Sequence, residues 1–212
     1  MLTQPQSQQV VSEVKTHNLE WLFGPLLALK GSMIEIDSKL QQRGIADILE
    51  STCVDRARKL YGDFFVDRSS NKSTEDFILN IEGITYIIDV KSHDIDKTFS
   101  MPNLTAIEVL RNIYQTTSTV LFYLLIDYKI IKNDVLVTDV HICAPHHISW
   151  DSLQIANLGR GQLQIKCMRD LKIDYTQSAP KWFATFVSEV IDFKYNLIDK
   201  LTKSLELWYE SA

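Results

Sequence analysis

The residues whose types and spacing could do chemistry lie between Glu75 and Lys91: two aspartates, Asp76 and Asp89, and a lysine two places after the second. Glu82-Gly83 stands between two apolar, β-branched runs, Phe77 to Ile81 and Ile84 to Lys91, which is the signal of a short hairpin. With those two residues as the turn, Ile81 faces Ile84, Leu79 faces Tyr86 and Asp76 faces Asp89. Alternation then puts Asp89 and Lys91 on one face and Ile84, Tyr86, Ile88 and Val90 on the other. Two carboxylates on Cβ atoms about 5 Å apart repel by roughly 3 kcal/mol at an effective dielectric near 20. A hard divalent cation such as Mg²⁺ removes that cost, because oxygen donors in a half-open cage suit it. Beside them Lys91 could orient or deprotonate an attacking water, or stabilise charge growing on a phosphate. The arrangement suits phosphodiester hydrolysis.

A third acid is expected from the helix before the hairpin. Ala46, Leu49, Cys53, Ala57 and Leu60 recur at helical spacing in a helix from about Asp37 to Tyr61. Glu50 projects about 40° from Ala46, on the sheet-facing edge, and Asp47 about 100° away. Glu50 is therefore the auxiliary acid expected, with Asp47 in reserve.

The surrounding elements read as follows. Residues 11–30 look helical, and Phe64 to Val66, Val120 to Tyr128, Val135 to Cys143 and Gln162 to Met168 read as further strands. A helix is expected from Pro102 to about Thr117. A long closing helix begins near Ser178 with Pro180 in its first turn, its stripe running Trp182, Phe186, Val190, Phe193, Leu197, Leu201, Leu205. The order predicts one α/β domain: a mainly helical part over 1–62, a catalytic mixed sheet over 63–170 and a C-terminal helix over 178–209.

Composition narrows the class. With 45% hydrophobic and 23% charged residues the chain is of ordinary globular type, and no apolar run reaches the length of a membrane span. A polar start, Met1 to Gln9, leads to the expectation of a cytoplasmic protein. Cys53, Cys143 and Cys167 are scattered and odd in number, so reduced core thiols are expected. The net charge of −5 weighs mildly against a nucleic-acid partner, although Lys97, Arg111, Arg160, Lys166 and Arg169 could line a basic face. His141, His146 and His147 have no Cys or acid at metal-ligand spacing and read as strand-end and loop residues.

The pattern Asp76, twelve residues, Asp89-Val90-Lys91 resembles the PD-(D/E)xK nuclease superfamily, with Glu75 where proline usually stands. Within it the chain is similar to type II restriction endonucleases, in particular the blunt-cutting kind that reads GTYRAC. Pro102-Asn103 opening a helix, the stretch from Trp150 to Ile165 and the early Trp182 of the last helix carry the rest of the likeness. The resemblance implies a restriction-endonuclease-like mixed sheet flanked by helices. It also implies Mg²⁺ on Asp76 and Asp89, and a homodimer cutting both strands of a short palindrome to leave 5′-phosphates. Ser100 and Asn103 would touch DNA near the scissile step, and Asn157, Arg160 and Gln162 would read the major groove. A cognate DNA methyltransferase would accompany such an enzyme. Two rivals stand beside this reading: a repair or recombination nuclease on the same core, and a non-catalytic DNA-binding protein.

Overall fold

The computed structural model describes residues 16–36, 42–68, 75–97, 100–116, 118–156 and 161–210. Among the described residues nine strands make two sheets. β1 (Met33–Glu35), β2 (Phe65–Asp67), β3 (Phe77–Ile81), β4 (Ile84–Asp94), β6 (Thr119–Ile131) and β7 (Asp134–Cys143) form a six-stranded sheet in the order β1-β7-β6-β4-β3-β2. β4 and β6 run parallel and every other pair antiparallel, so the sheet is mixed. β5 (Asn103–Ala106), β8 (Leu153–Ala156) and β9 (Gln162–Ile165) form a separate sheet in the order β5-β9-β8.

Two apolar cores sandwich the large sheet. On one face, α1 (Thr16–Leu27) and α2 (Gln42–Tyr61) bring Phe23, Leu26, Leu49, Cys53 and Ala57 against Phe77, Leu79, Ile88 and Phe122. On the other, α3 (Ile107–Gln115), α4 (Ala179–Glu210) and the small sheet pack on Leu121, Tyr123 and Leu125. Strict alternation along β6 feeds both cores, as a strand buried on two faces requires. The class is the one expected: a mixed α/β sheet with helices on its faces and a long C-terminal helix.

Several elements differ from the sequence reading. Pro102 opens β5 rather than a helix, and α3 starts only at Ile107. Asn103 pairs with Gln164 and Ala106 with Gln162, and the Thr105 hydroxyl meets Tyr123 Oη at 2.8 Å, so distant partners hold this segment extended. The strand at 162 stops at Ile165. β1 had no sequence signal; three residues pair with β7 about a hundred positions later. Residues 11–15 and 37–41 of the expected helices lie outside the described residues. Cys53, Cys143 and Cys167 are free thiols, the first two buried. Among the described residues no helix is long and apolar enough to cross a membrane.

α4 is clamped at its start. Trp182 is fully buried, donates from Nε1 to the Ile148 carbonyl at 2.9 Å and stacks on Trp150 and Phe186. Its stripe packs on the body as far as Phe193; Leu197 is half-buried, and Leu201 and Leu205, expected to continue it, are exposed.

Candidate active site

The hairpin between β3 and β4 forms in the register expected, from Ile81↔Ile84 to Phe77↔Ile88. Glu82 and Gly83 take φ of 50° and 79°. Positive φ at both central residues is what a two-residue turn matched to strand twist needs, and Gly83 meets it without Cβ strain.

Asp76 departs from simple pairing. The ladder ends at Phe77, and the Asp76 N–H donates to Ile88 O at 2.9 Å. Its carboxylate accepts the Val90 N–H at 2.6 Å, standing where the next ladder acceptor would be. Ladder bonds lie in the plane of the sheet, so this carboxylate sits at the sheet's plane rather than on one face. It is consequently within reach of acids from both sides: its charge acts on Glu50, from the helix covering one face, and on Asp89, which projects from the other.

Asp89 is 2% exposed. Burial pushes its carboxyl up to about 7, the neighbouring Asp76 charge adds to the rise, and Lys91 opposes it. Lys91 Nζ donates to Asp89 Oδ1 at 2.5 Å, with its side chain 23% exposed. Asp89 Oδ2 is buried and, among the described residues, has no hydrogen-bond partner. A buried orphan acceptor costs about 1–3 kcal/mol unless something occupies it. Burial first, and then the Asp76 charge, also push Glu50 above the usual carboxylate range, while Arg68 pulls it back. Arg68 is 3.0 Å from Glu50 and 4.0 Å from Asp76. Asp47 is exposed, and of the two helix acids Glu50 is the one brought to the cluster.

The donor set is all oxygen and suits Mg²⁺. Among the described residues no three His, Cys, Asp or Glu side chains form a ready-made cage. Mg²⁺ does not need one, since it keeps several waters and takes one or two carboxylates together with substrate phosphate oxygens. The orphan Asp89 Oδ2 is the donor best placed to gain from a cation.

Sequence reasoning missed three neighbours. Arg68 precedes the strand with no motif to mark it. Tyr123, opposite Asp89 on β6, ties the small sheet to the site through Thr105. His93 follows Asp89 and Lys91 on the same face of β4, and its Nδ1 lies 3.0 Å from Asp127 on β6. His93 Nε2 is buried and has no partner among the described residues. Alternation alone could have flagged His93, but its partner is thirty-four positions away.

The expected DNA-contacting residues are dispersed. Asn157 and Arg160 lie outside the described residues. Gln162 is half-buried on β9, opposite Ala106 and Ala156. Asn103 is exposed, but its Oδ1 accepts from Gln164 Nε2 at 2.9 Å, and Gln164 in turn accepts from Gln154 at 2.6 Å, an amide row across the small sheet. Ser100 is half-buried and its carbonyl accepts the Met168 N–H at 3.0 Å. Of the basic candidates, Arg111 pairs with Glu108, Lys166 donates to Asp151 O and Arg169 to Lys97 O. His146 and His147 are packed inward near Tyr114 and Tyr175 rather than presented to a phosphate.

Gly161 owes its identity to packing. Its φ is +104°, and a Cβ there would meet Ile107 Cδ1 and Phe193 Cε1 at 2.9 Å. Gly161→Ala should therefore lower stability by about 2–4 kcal/mol through overpacking and backbone strain, read as a fall in the urea midpoint. An unchanged midpoint would show that α3 and α4 give way freely there.

No protein-family model matches the chain, and no curated protein matches it in sequence. Among solved structures it is similar to the NlaIV restriction endonuclease at 14% identity and a TM-score of 0.48, covering 78% of this chain and 69% of that one.

Proposed function

We propose that the chain is a Mg²⁺-dependent, site-specific endonuclease of the type II restriction kind, hydrolysing phosphodiester bonds in double-stranded DNA. The observation that carries the reading is Asp76 set between Glu50 and a buried Asp89 that has an unpartnered oxygen and Lys91 beside it. A structural role explains this poorly, because an ordinary fold gains nothing from clustering carboxylates in a desolvated place.

Asp76 and Asp89 would hold the ion, with Glu50 as auxiliary acid. When bound, Mg²⁺ supplies Lewis acidity toward the phosphate and acidifies water. Lys91 is anchored on Asp89 yet partly exposed, so its ammonium can turn to a phosphate oxygen as charge develops there. Asp76, held by the Val90 N–H, keeps its carboxylate fixed during that turn. Ser100, Asn103 and the segment from Asn157 to Gln162 are the proposed DNA contacts. Cleavage of both strands of a palindrome calls for two copies, and a methyltransferase with the same target would protect the host's DNA.

The test is supercoiled plasmid with Mg²⁺, followed by sequencing of the ends. Discrete fragments sharing one short palindrome, with 5′-phosphates, are expected. Ends without a common sequence would favour a repair or recombination nuclease, and intact plasmid would favour a non-catalytic DNA-binding protein. Lys91→Ala should slow cleavage about 10²–10³-fold, the usual loss for one transition-state donor, with little change in stability. Cleavage at the wild-type rate would remove Lys91 from the chemistry.

A further inference from the structure

His93 is a buried titratable group that the proposed chemistry leaves unused. It is 5% exposed and stands on β4 two residues past Lys91 and four past Asp89, on their face of the sheet. Opposite it on β6 is Asp127, whose Oδ1 lies 3.0 Å from His93 Nδ1. A carboxylate can only accept, so it fixes the proton of the neutral ring on Nδ1 and leaves Nε2 with a bare lone pair. That nitrogen is shut off from solvent and, among the described residues, has no hydrogen-bond partner. A ring held in this way is an acceptor lacking its donor.

Lys91 is the donor that the strand supplies. Across from it on β6 Leu125 is apolar, and one step back Tyr123 Oη is already engaged with Thr105 Oγ1 at 2.8 Å. The Lys91 ammonium carries three protons, one of which goes to Asp89 Oδ1. Along β4 the lysine stands midway between Asp89 and His93, each about 6.6 Å away at the rise of a strand. Its flexible four-carbon stem can swing between the two.

We propose that His93, backed by Asp127, is a positioning residue for Lys91, its Nε2 accepting one ammonium proton when Asp89 no longer takes it. Asp127 strengthens the acceptor by drawing on the Nδ1 proton, as linked hydrogen bonds polarise one another. When Asp89 serves a cation, Lys91 loses its anchor. His93 then holds one arm of the ammonium, and the other two protons are left for a phosphate oxygen and water. That role rests on the nuclease reading; the hydrogen bond does not.

The bond is tested without DNA or metal, by heteronuclear NMR of the imidazole nitrogens in the full chain, with His93→Gln to assign the signal. In the wild type Nδ1 should carry the proton and Nε2 should be bare. Asp89→Asn replaces the charged acceptor with a weaker amide oxygen, so Lys91 should swing to His93 and move the Nε2 signal upfield. Asp89→Asn/Lys91→Met should return it. Nε2 signals that coincide in the single and double variants overturn the proposal, and so does a wild-type ring protonated on Nε2. Plasmid cleavage reads the role. His93→Leu should lower kcat about ten- to a hundredfold with KM unchanged, the loss expected of a misplaced group. His93→Gln, whose side-chain oxygen can stand in for Nε2, should recover most of it. Equal losses in the two variants would make the ring a packing element and overturn the positioning role. A chain that cuts no DNA yet shows the lysine-dependent shift sinks the nuclease reading and leaves the hydrogen bond, while a chain that cuts without the shift does the reverse.

Discussion

Asp89→Asn is expected to reduce Mg²⁺-dependent cleavage by about a thousandfold or more while raising the melting temperature of the metal-free protein at pH 8. Loss of a metal-holding carboxylate removes several kcal/mol of transition-state stabilisation, and about 4 kcal/mol is a factor of a thousand. The stability half follows from burial. Asp89 rises from an ordinary 3.8 to about 7 in the folded chain, chiefly through desolvation. A group raised on folding gives stability that is complete below the unfolded value and lost as pH climbs through the folded one. Between about pH 4 and 7 the ionising carboxylate thus removes on the order of 4 kcal/mol, which asparagine, never charged, does not. At pH 8 the variant should melt roughly 8–16 °C higher, and the gap should shrink steadily as the pH is lowered toward about 5. Saturating Mg²⁺ should narrow that gap, since it stabilises only the protein that binds it, by about 2.7 kcal/mol at a hundred times its dissociation constant. Equal Mg²⁺-induced shifts in both proteins would remove Asp89 from the ligand set.

That response depends on features of unequal visibility in the sequence. The hairpin was legible because everything that sets it is local: two β-branched runs, a turn pair able to take positive φ, and a period of two. Glu50 was legible through helical projection from a neighbouring stripe. Asp76 was legible as a residue but not in its pose, because nothing in its own neighbourhood tells that its carboxylate replaces a ladder acceptor at Val90. The failures are long-range. Pro102 to Ala106 has a plausible helix start, and it becomes a strand only because β9, some sixty residues on, supplies partners. Arg68 and the His93–Asp127 pair belong to no local pattern; each is assembled by sheet order. The apolar row on α4 shows a different limit. Periodicity counted Leu201 and Leu205 as core, and only the extent of the body reveals that they lie beyond it.

Acid should unfold the protein in a window set by two histidines that take no part in the proposed chemistry. His146 is pushed down to about 3 by burial and by the charge of His147, and His147 to about 4 by burial against the pull of Asp174. The hydrogen bonds fit neutral rings: His147 Nδ1 accepts the Ala144 N–H at 3.2 Å, and His146 Nδ1 lies 3.2 Å from Tyr114 Oη. For groups depressed on folding, the stability is present above the unfolded value near 6.5 and lost as pH falls toward the folded values. Together the pair accounts for on the order of 8 kcal/mol, comparable with the whole stability of a domain. Asp89 works in the opposite direction over an overlapping window, but with about half that magnitude, so the histidines decide the sign. The net loss, on the order of 4 kcal/mol, accrues mostly below about pH 5, so cooperative unfolding is expected near about pH 4 or below, followed by near-ultraviolet circular dichroism of the stacked Trp150 and Trp182. His146→Gln keeps a partner for Tyr114 and cannot take up the proton, so its transition should move about half a pH unit or more toward acid. Coincident acid transitions in variant and wild type would mean that the buried pair accepts its charge without cost, and that some other group governs the loss of the fold.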